Sequence, residues 1–464
     1  MIARPTIFRE YDIRGVVGTD FDAELAFRLG LAFADKVRAA FPDKKDLRVA
    51  VGYDCRLSGE ELRMALTKGL VAGGVRVVDS GMGPTPQLYF TTVTRSLDGG
   101  IQVTGSHNPG DQNGFKMMVG QRTLSGTDIQ ELRIAVFAKA PAYSEAFDSS
   151  MVERFDARSA FIAELIARSQ SHMGKARKVK VVVDGGNGVG GLVGPEVLRG
   201  LGCEVIELYT EPDGRFPNHH PDPTVLENIV ELRSRVVKEQ ADVGIAWDGD
   251  ADRIGVVDER GEPIFGDLLL VLYGRQLLKE VEKPTIIGDV KCSELMFADL
   301  KARGANTVMA KTGHSLIKAK LKELHAELAG EMSGHMFFAH RYFGFDDAIH
   351  ASARLVEILS NTPEQLSSML SDLPKTVNTP EIRVDCPEEL KFEVSERAKS
   401  AFPEYEVNTL DGVRITFPNG WGLVRASNTQ PILVMRFEAD SAARLEEYQS
   451  LVEGRIEKLR AELQ

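Results

Sequence analysis

Three stretches of the chain repeat one pattern: a short apolar strand with a Gly- or Asp-bearing end, a helical stretch, a Gly-rich turn, another strand, and later a strand that runs into a polar loop. In the first, LRVAVGYD is followed by GEELRMALTKGLVAGG and VRVVDSG, and the strand GGIQV enters TGSHNP. In the second, VKVVVDGGNGVGG leads through GPEVLRGLG to CEVIELY, and VGIAW enters DGDADR. In the third, PTIIGDV leads through SELMFADLKARG to NTVMAKTGH, and AELA precedes GEMSGH. Each loop is followed by an apolar stretch, FKMMV, IGVV or MFF, so each turns one strand into its neighbour. Such a chain folds as three related α/β units. Ligands in open α/β sheets gather beyond the carboxyl ends of strands, which predicts that the three loops converge on one cleft.

After ARLVEILSNTPEQLSSMLSDLP the repeat stops; Pro374 and Pro380 mark a linker, and a smaller fourth domain of different topology follows. It carries its own polar loop, RASNTQP, between WGLV and ILVMRFE. A length of 464 residues with 43% hydrophobic composition suits three or four such units.

A net charge of −12 argues against a general nucleic-acid binder, which needs a surplus of Lys and Arg on one face. Apolar runs such as that from Leu268 to Tyr273 are too short to span a bilayer, and MIARPTIFREYDIRG has no signal-peptide core. The cysteines at 55, 203, 292 and 386 form no C-x-x-C pair, so a zinc ribbon or disulfide framework is not suggested. A cytoplasmic chain with neither nucleic acid nor membrane as partner is expected.

The loops carry chemistry. Asp248, Asp250 and Asp252 alternate within six residues, so a tight turn aims three carboxylates at one hard cation, Mg²⁺ or Ca²⁺. An EF-hand is disfavoured because Arg253 stands at the sixth loop position, where Gly is needed, and the flanks read as strands. Ser106, after Gly105 and beside His107, with Pro109 stiffening the exit, is presented as a candidate nucleophile, although G-S-H-N-P is not a hydrolase elbow. A serine beside a metal suits phosphoryl transfer. Glu331, Ser333 and His335 offer a carboxylate, a hydroxyl and an imidazole to the vicinal hydroxyls of a sugar. Arg425, Ser427, Asn428 and Thr429 offer a phosphate its guanidinium, hydroxyl and amide donors. DGGNGVGG lacks G-x-G-x-x-G spacing and reads as a helix-entry turn, and no G-x-x-x-x-G-K-[ST] loop is present.

Together, TGSHNP with GFK behind it, DGDADR, GEMSGH and RASNTQP resemble the α-D-phosphohexomutase superfamily in its phosphomannomutase/phosphoglucomutase branch, in order along nearly the whole chain. The resemblance implies four domains around a central cleft, heart-shaped overall: mixed-sheet α/β units at 1–149, 150–258 and 259–371, and an α+β domain at 372–464. It implies that Ser106 is a phosphoserine, that Asp248, Asp250 and Asp252 hold Mg²⁺ together with that phosphate, and that Arg253 braces it. Tyr11, Arg14, His107, Lys116, Lys291 and His314 resemble further cleft residues. The implied reaction moves phosphate between the 6- and 1-positions of mannose or glucose phosphates through a hexose 1,6-bisphosphate. Glucose 1,6-bisphosphate serves as activator, Lys116 and His335 as proton carriers and Arg14 as electrostatic helper. The turn-over of that intermediate favours closure of the fourth domain about a hinge near 375–379, in a monomer or weak homodimer. Gly110-Asp-Gln112 departs from the branch, where another proline and an aromatic are often seen, and that bears on loop stiffness. Met332 resembles the mannose/glucose enzymes, since glucosamine phosphate mutases usually carry Gln there. Phosphoglucosamine mutase is therefore the alternative within the superfamily, and a non-catalytic sugar-phosphate- or metal-binding protein the alternative outside it.

Overall fold

The computed structural model describes residues 2–138, 143, 147–427 and 431–463, in which the three repeats become three mixed sheets built on one plan. In the first, Arg48–Tyr53 lies between Arg76–Met82 and Gly99–Val103, both parallel to it, and Gln112–Val119 runs antiparallel beyond. In the second, Lys180–Asp184 lies between Glu204–Leu208 and Val243–Trp247, with Ile254–Asp258 antiparallel beyond. In the third, Thr285–Asp289 lies between Asn306–Ala310 and Leu328–Gly330, with Met336–Phe338 antiparallel beyond. Each polar loop thus joins the third strand of its unit to the antiparallel fourth, at equivalent places. Val181, Val182 and Val183 are all fully buried, as a β-branched run must be when helices cover both faces of a sheet.

Two edge strands lie beyond the expected divisions at 149 and 258. Val152–Arg154 pairs with Arg76–Met82 in the first sheet, and Pro263–Ile264 pairs with Ile254–Asp258 in the second. Backbone pairing at a sheet edge leaves little pattern in so short a segment.

One apolar core, including Leu88, Trp247, Leu270 and Ile349, runs through the first three domains. The helix Ala348–Ser360 is buried along its whole length within it. The fourth domain, an antiparallel sheet backed by helices Lys391–Ala398 and Ala442–Leu463, has a separate core around Val394, Phe417, Phe437 and Val452. Most of the expected hinge belongs to this sheet: Val377 and Asn378 pair with Ala439 and Glu438, and the Thr379 N–H donates to the Phe437 carbonyl at 2.9 Å. Among the described residues no helix is long and apolar enough to cross a membrane.

The third and fourth domains meet through polar groups set around an apolar contact of Val290 with Trp421 and Leu423. Arg436 donates to Asp267 Oδ2 at 3.0 Å and to the Lys291 carbonyl, and Ser293 N–H reaches the same carboxylate oxygen at 3.0 Å. Arg414 donates to the carbonyls of Val290 and Cys292 at 2.7 and 2.9 Å, with its guanidinium 3.9 Å from the Trp421 ring centroid. This seam fixes the segment that carries Lys291. Arg436→Met strands the buried Asp267 carboxylate, and urea denaturation should show a loss of about 3–5 kcal/mol. Adding Asp267→Asn should recover part of that loss, because the stranded charge is removed.

Candidate active site

A cavity of about 500 Å³ opens where the loops converge, and its wall carries Tyr11, Arg14, Ser106, His107, Lys116, Arg253, Lys291, His314, Glu331, Ser333, His335, Arg425 and Ser427. Asn428 and Thr429 lie outside the described residues. Asp248, Asp250 and Asp252 are fully buried and reach the cavity through Ser106 and Lys116. Arg9, Asp12, Glu381 and Arg383 also line it, and sequence reasoning did not single them out.

Ser106 sits in the left-handed region, at φ 50°, where its N–H donates to Thr104 Oγ1 at 2.8 Å. Its hydroxyl donates to Asp248 Oδ2 at 2.9 Å, and His107 Nδ1 lies 3.2 Å from the Ser106 hydroxyl oxygen. Gly249 lies against this loop so closely that a Cβ there would collide with the Ser106 carbonyl oxygen. The glycine between the first two aspartates is therefore what lets the metal loop and the serine loop touch. Burial, with Arg253, Arg14 and Lys116 adding to it, holds the His107 imidazole well below its ordinary pKa.

The three aspartates bring carboxylate oxygens within 4.8 Å of one another. Burial, then the charges of Asp252 and Asp250, push the Asp248 carboxyl well up. Burial alone would raise Asp250 too, but Lys116 at 2.7 Å and the Thr85 hydroxyl bring it down. Lys116 bridges Asp250 and Asp252; these carboxylates outweigh its burial and raise its pKa, so it stands as an ammonium. Asp250 Oδ1 and Asp252 Oδ1 are buried and have no hydrogen-bond partner. Hard, closely spaced oxygens with unpartnered acceptors fit Mg²⁺. The loop is flanked by strands, Val243–Trp247 and Ile254–Asp258, which is not the helix–loop–helix of an EF-hand.

A second group, Asp252, His335 and Asp346, is equally close-set. Here Arg253 Nε–H donates to His335 Nε2 at 3.0 Å, which assigns the ring hydrogen to Nδ1, facing Asp346 Oδ2 at 3.4 Å and Asp252 Oδ1 at 3.6 Å. A nitrogen that carries hydrogen has no lone pair for a metal, so this is a proton-bearing network. Asp346 is its hub, with Lys318 at 2.8 Å and His314 Nδ1 at 3.3 Å. Burial would raise Asp346, but Lys318 and the two histidines hold it well down. Burial and Lys318 lower His314 to about 4. The two histidine rings stack with centroids 5.7 Å apart.

The remaining motifs reach the cavity from the third and fourth domains. Glu331 Oε1 accepts from Gly313 N–H at 3.2 Å and Oε2 from the Ser333 hydroxyl at 3.2 Å; burial raises its pKa. Lys291 donates to Glu381 Oε2 at 3.3 Å across the domain seam. Arg425 Nε–H donates to Asp411 at 2.9 Å, and Tyr11 donates to the Thr312 carbonyl at 2.8 Å.

DGGNGVGG forms the expected helix-entry turn, and Val189 N–H donates to the Gly249 carbonyl at 3.1 Å, so the turn buttresses the metal loop. Its Asp184 is fully buried and meets His219 Nε2 at 3.1 Å, while His219 Nδ1 faces the His220 carbonyl at 2.9 Å. Both partners only accept, so both ring nitrogens carry hydrogen and the ring is an imidazolium. Burial opposes that charge, but Asp184 outweighs it and raises the pKa. The stability this pair contributes is complete below the unfolded imidazole value of about 6.5 and is lost as pH rises through the higher folded value. Thermal melting should show that loss in wild type, and His219→Gln should flatten the profile; an unchanged profile would contradict the pairing.

Sequence models of phosphoglucomutase/phosphomannomutase match in order along the chain: alpha/beta/alpha domain I over 5–140, domain II over 159–261, domain III over 265–377 and the C-terminal domain over 381–454. A phosphomannomutase/phosphoglucomutase of Pseudomonas aeruginosa is 44% identical over 460 residues, 99% of this chain and 97% of that protein. A phosphoglucomutase of Neisseria gonorrhoeae is 43% identical over 455 residues, 97% of this chain and 96% of that one. The crystal structure of a phosphoglucomutase/phosphomannomutase family protein from Burkholderia thailandensis superposes with a TM-score of 0.88 at 41% identity, covering 98% of both chains. Four domain matches in order, full-length identity and a common architecture agree: the chain belongs to the phosphoglucomutase/phosphomannomutase family.

Proposed function

We propose that this chain is a Mg²⁺-dependent phosphohexomutase that moves phosphate between the 6- and 1-positions of mannose or glucose phosphates through phospho-Ser106. The observation that carries the reading is the contact of Ser106 Oγ with Asp248 at 2.9 Å, inside a cavity whose other wall is the Glu331–His335 loop. A nucleophile, a trivalent carboxylate site and a sugar-sized polar cavity meet at one place.

In the forward half-reaction a sugar hydroxyl attacks the phosphorus of phospho-Ser106. The new P–O(sugar) bond forms as the P–Oγ bond breaks, the hydroxyl proton leaves to a base, and a proton reaches Ser106 Oγ. The return half-reaction runs the same balance backwards on the other phosphate of the 1,6-bisphosphate. Mg²⁺ held by Asp248, Asp250 and Asp252 would supply positive charge to the phosphoryl oxygens. Lys116, an ammonium among those carboxylates, is the proton donor; His335 is the acceptor once Arg253 turns from its Nε2 to the serine phosphate and frees that lone pair. Arg253 braces the serine phosphate. Arg14, fixed by Asp12 and by Asn108 Oδ1 at 3.0 Å, adds charge beside the serine loop. Glu331 and Ser333 bind sugar hydroxyls, with Tyr11, Lys291, His314 and His107 around them. Arg425, Ser427, Asn428 and Thr429 grip the phosphate that does not react.

Glucose 1,6-bisphosphate acts as activator by passing one phosphoryl group to Ser106 after hydrolysis has removed its phosphate, leaving a glucose monophosphate. Met332 and the names of the P. aeruginosa and N. gonorrhoeae relatives support the mannose/glucose branch. Four unpaired cysteines suit a reducing cytoplasm.

Turnover of mannose 1-phosphate, glucose 1-phosphate and glucosamine 1-phosphate with Mg²⁺ and catalytic glucose 1,6-bisphosphate tests this. The first two should turn over, and Ser106→Ala should lose at least ~1000-fold in kcat. Preference for glucosamine phosphate would move the chain to phosphoglucosamine mutase, and no turnover would sink the mutase reading. Lys116→Met should lower kcat about 100- to 10,000-fold.

A further inference from the structure

We propose that Arg56, outside the cavity, is the positioning residue that holds the Ser106 loop in its reactive conformation; this rests on Ser106 being the phosphoryl carrier. Its side chain is fully buried beneath the loop. Nη2 donates to the carbonyls of Ser106 at 2.8 Å and Asn108 at 2.6 Å, and Nη1 to those of Gln112 at 2.8 Å and Pro109. Nε donates to Asp54 Oδ2 at 3.1 Å. That oxygen also accepts from the Thr104 hydroxyl at 2.7 Å and the Gly105 N–H at 3.2 Å. Thr104 Oγ1 in turn receives the Ser106 N–H at 2.8 Å. One ion pair therefore ties down the loop from 104 to 112.

The loop needs such a fastening. A serine at φ 50° is in a region that L-residues other than Asn and Asp seldom occupy, so the surroundings must over-determine it. Turning four carbonyls inward onto one guanidinium does so, and it leaves Ser106 Oγ to face Asp248. Gly105 makes room: a Cβ there would lie 2.5 Å from Arg56 Cζ. Phe216, from the second domain, places its ring centroid 5.2 Å from the same guanidinium, so the fastening also registers the serine loop against the domain that carries the metal loop. Lysine, a point charge with three donors, cannot reproduce five directed bonds.

Arg56→Lys and Arg56→Ala carry the test, with hydrogen–deuterium exchange over 104–112 and steady-state mutase kinetics read on the same preparations. Exchange in that segment should quicken at least ~10-fold, while Lys180–Asp184 and Thr285–Asp289 exchange as in wild type. The kcat should fall about 100-fold with KM changed less than about threefold, because a misplaced nucleophile slows chemistry more than binding. Millimolar guanidinium should restore part of the kcat of Arg56→Ala, and Arg56→Lys carries the kinetic arm if the alanine variant does not fold. Unchanged loop exchange, or kcat within about twofold of wild type, would overturn the assignment, as would faster exchange spread evenly over the chain. If the wild type has no mutase activity, the functional reading fails separately, and the exchange arm still decides whether Arg56 orders this loop.

Discussion

Three carboxylates on one five-residue turn, all fully buried, repel one another in a medium that screens them poorly, and much of the molecule is arranged around that fact. Lys116 comes from the first sheet to bridge Asp250 and Asp252, Thr85 donates to Asp250, and Ser106 donates to Asp248. Arg253, one residue on, turns to His335 in the third domain. The unfavourable charge is thus met by donors from the first domain, Lys116, Thr85 and Ser106, while Arg253 ties the same loop to an acceptor in the third. A divalent cation held by the three aspartates would complete what Lys116 alone leaves partly unbalanced.

Repetition of one topology makes this meeting possible. Each α/β unit ends its third parallel strand in a polar loop, and three such ends can face one point when the units share a core, as Leu88, Trp247 and Leu270 show. The fourth domain has its own core and meets the third through Arg436 and Arg414, set around Val290, Trp421 and Leu423. Lys291 and Glu381 face each other across this seam at 3.3 Å.

Much of this was legible in the sequence because the repeat places its loops in register: Ser106, the three aspartates and the Glu331–His335 loop could be assigned to equivalent strand ends. Other groups left no such signal. Asp54 and Arg56 follow a strand as any polar pair might, and their role arises from the serine loop folding back over them. Asp346 precedes a helix like a capping residue; only the packing of Lys318, His314 and His335 around it makes it a hub. Lys116 was legible as a cleft residue, but its protonation depends on two carboxylates more than 130 residues away. At 375–379, where closure of the fourth domain implies a hinge, the pairing of Val377 to Thr379 with the fourth sheet left no signal in the sequence.

The central claim is that phosphate passes through Ser106, and labelling tests it directly. Incubation with ³²P-labelled glucose 1,6-bisphosphate, proteolysis and peptide mapping locate the label, and a chase with unlabelled hexose phosphate shows whether it is in transit. The account predicts label on the peptide containing Ser106, about one phosphate per chain, leaving fully into hexose phosphate during the chase. Label on another peptide, or label on Ser106 that the chase does not remove, would contradict it.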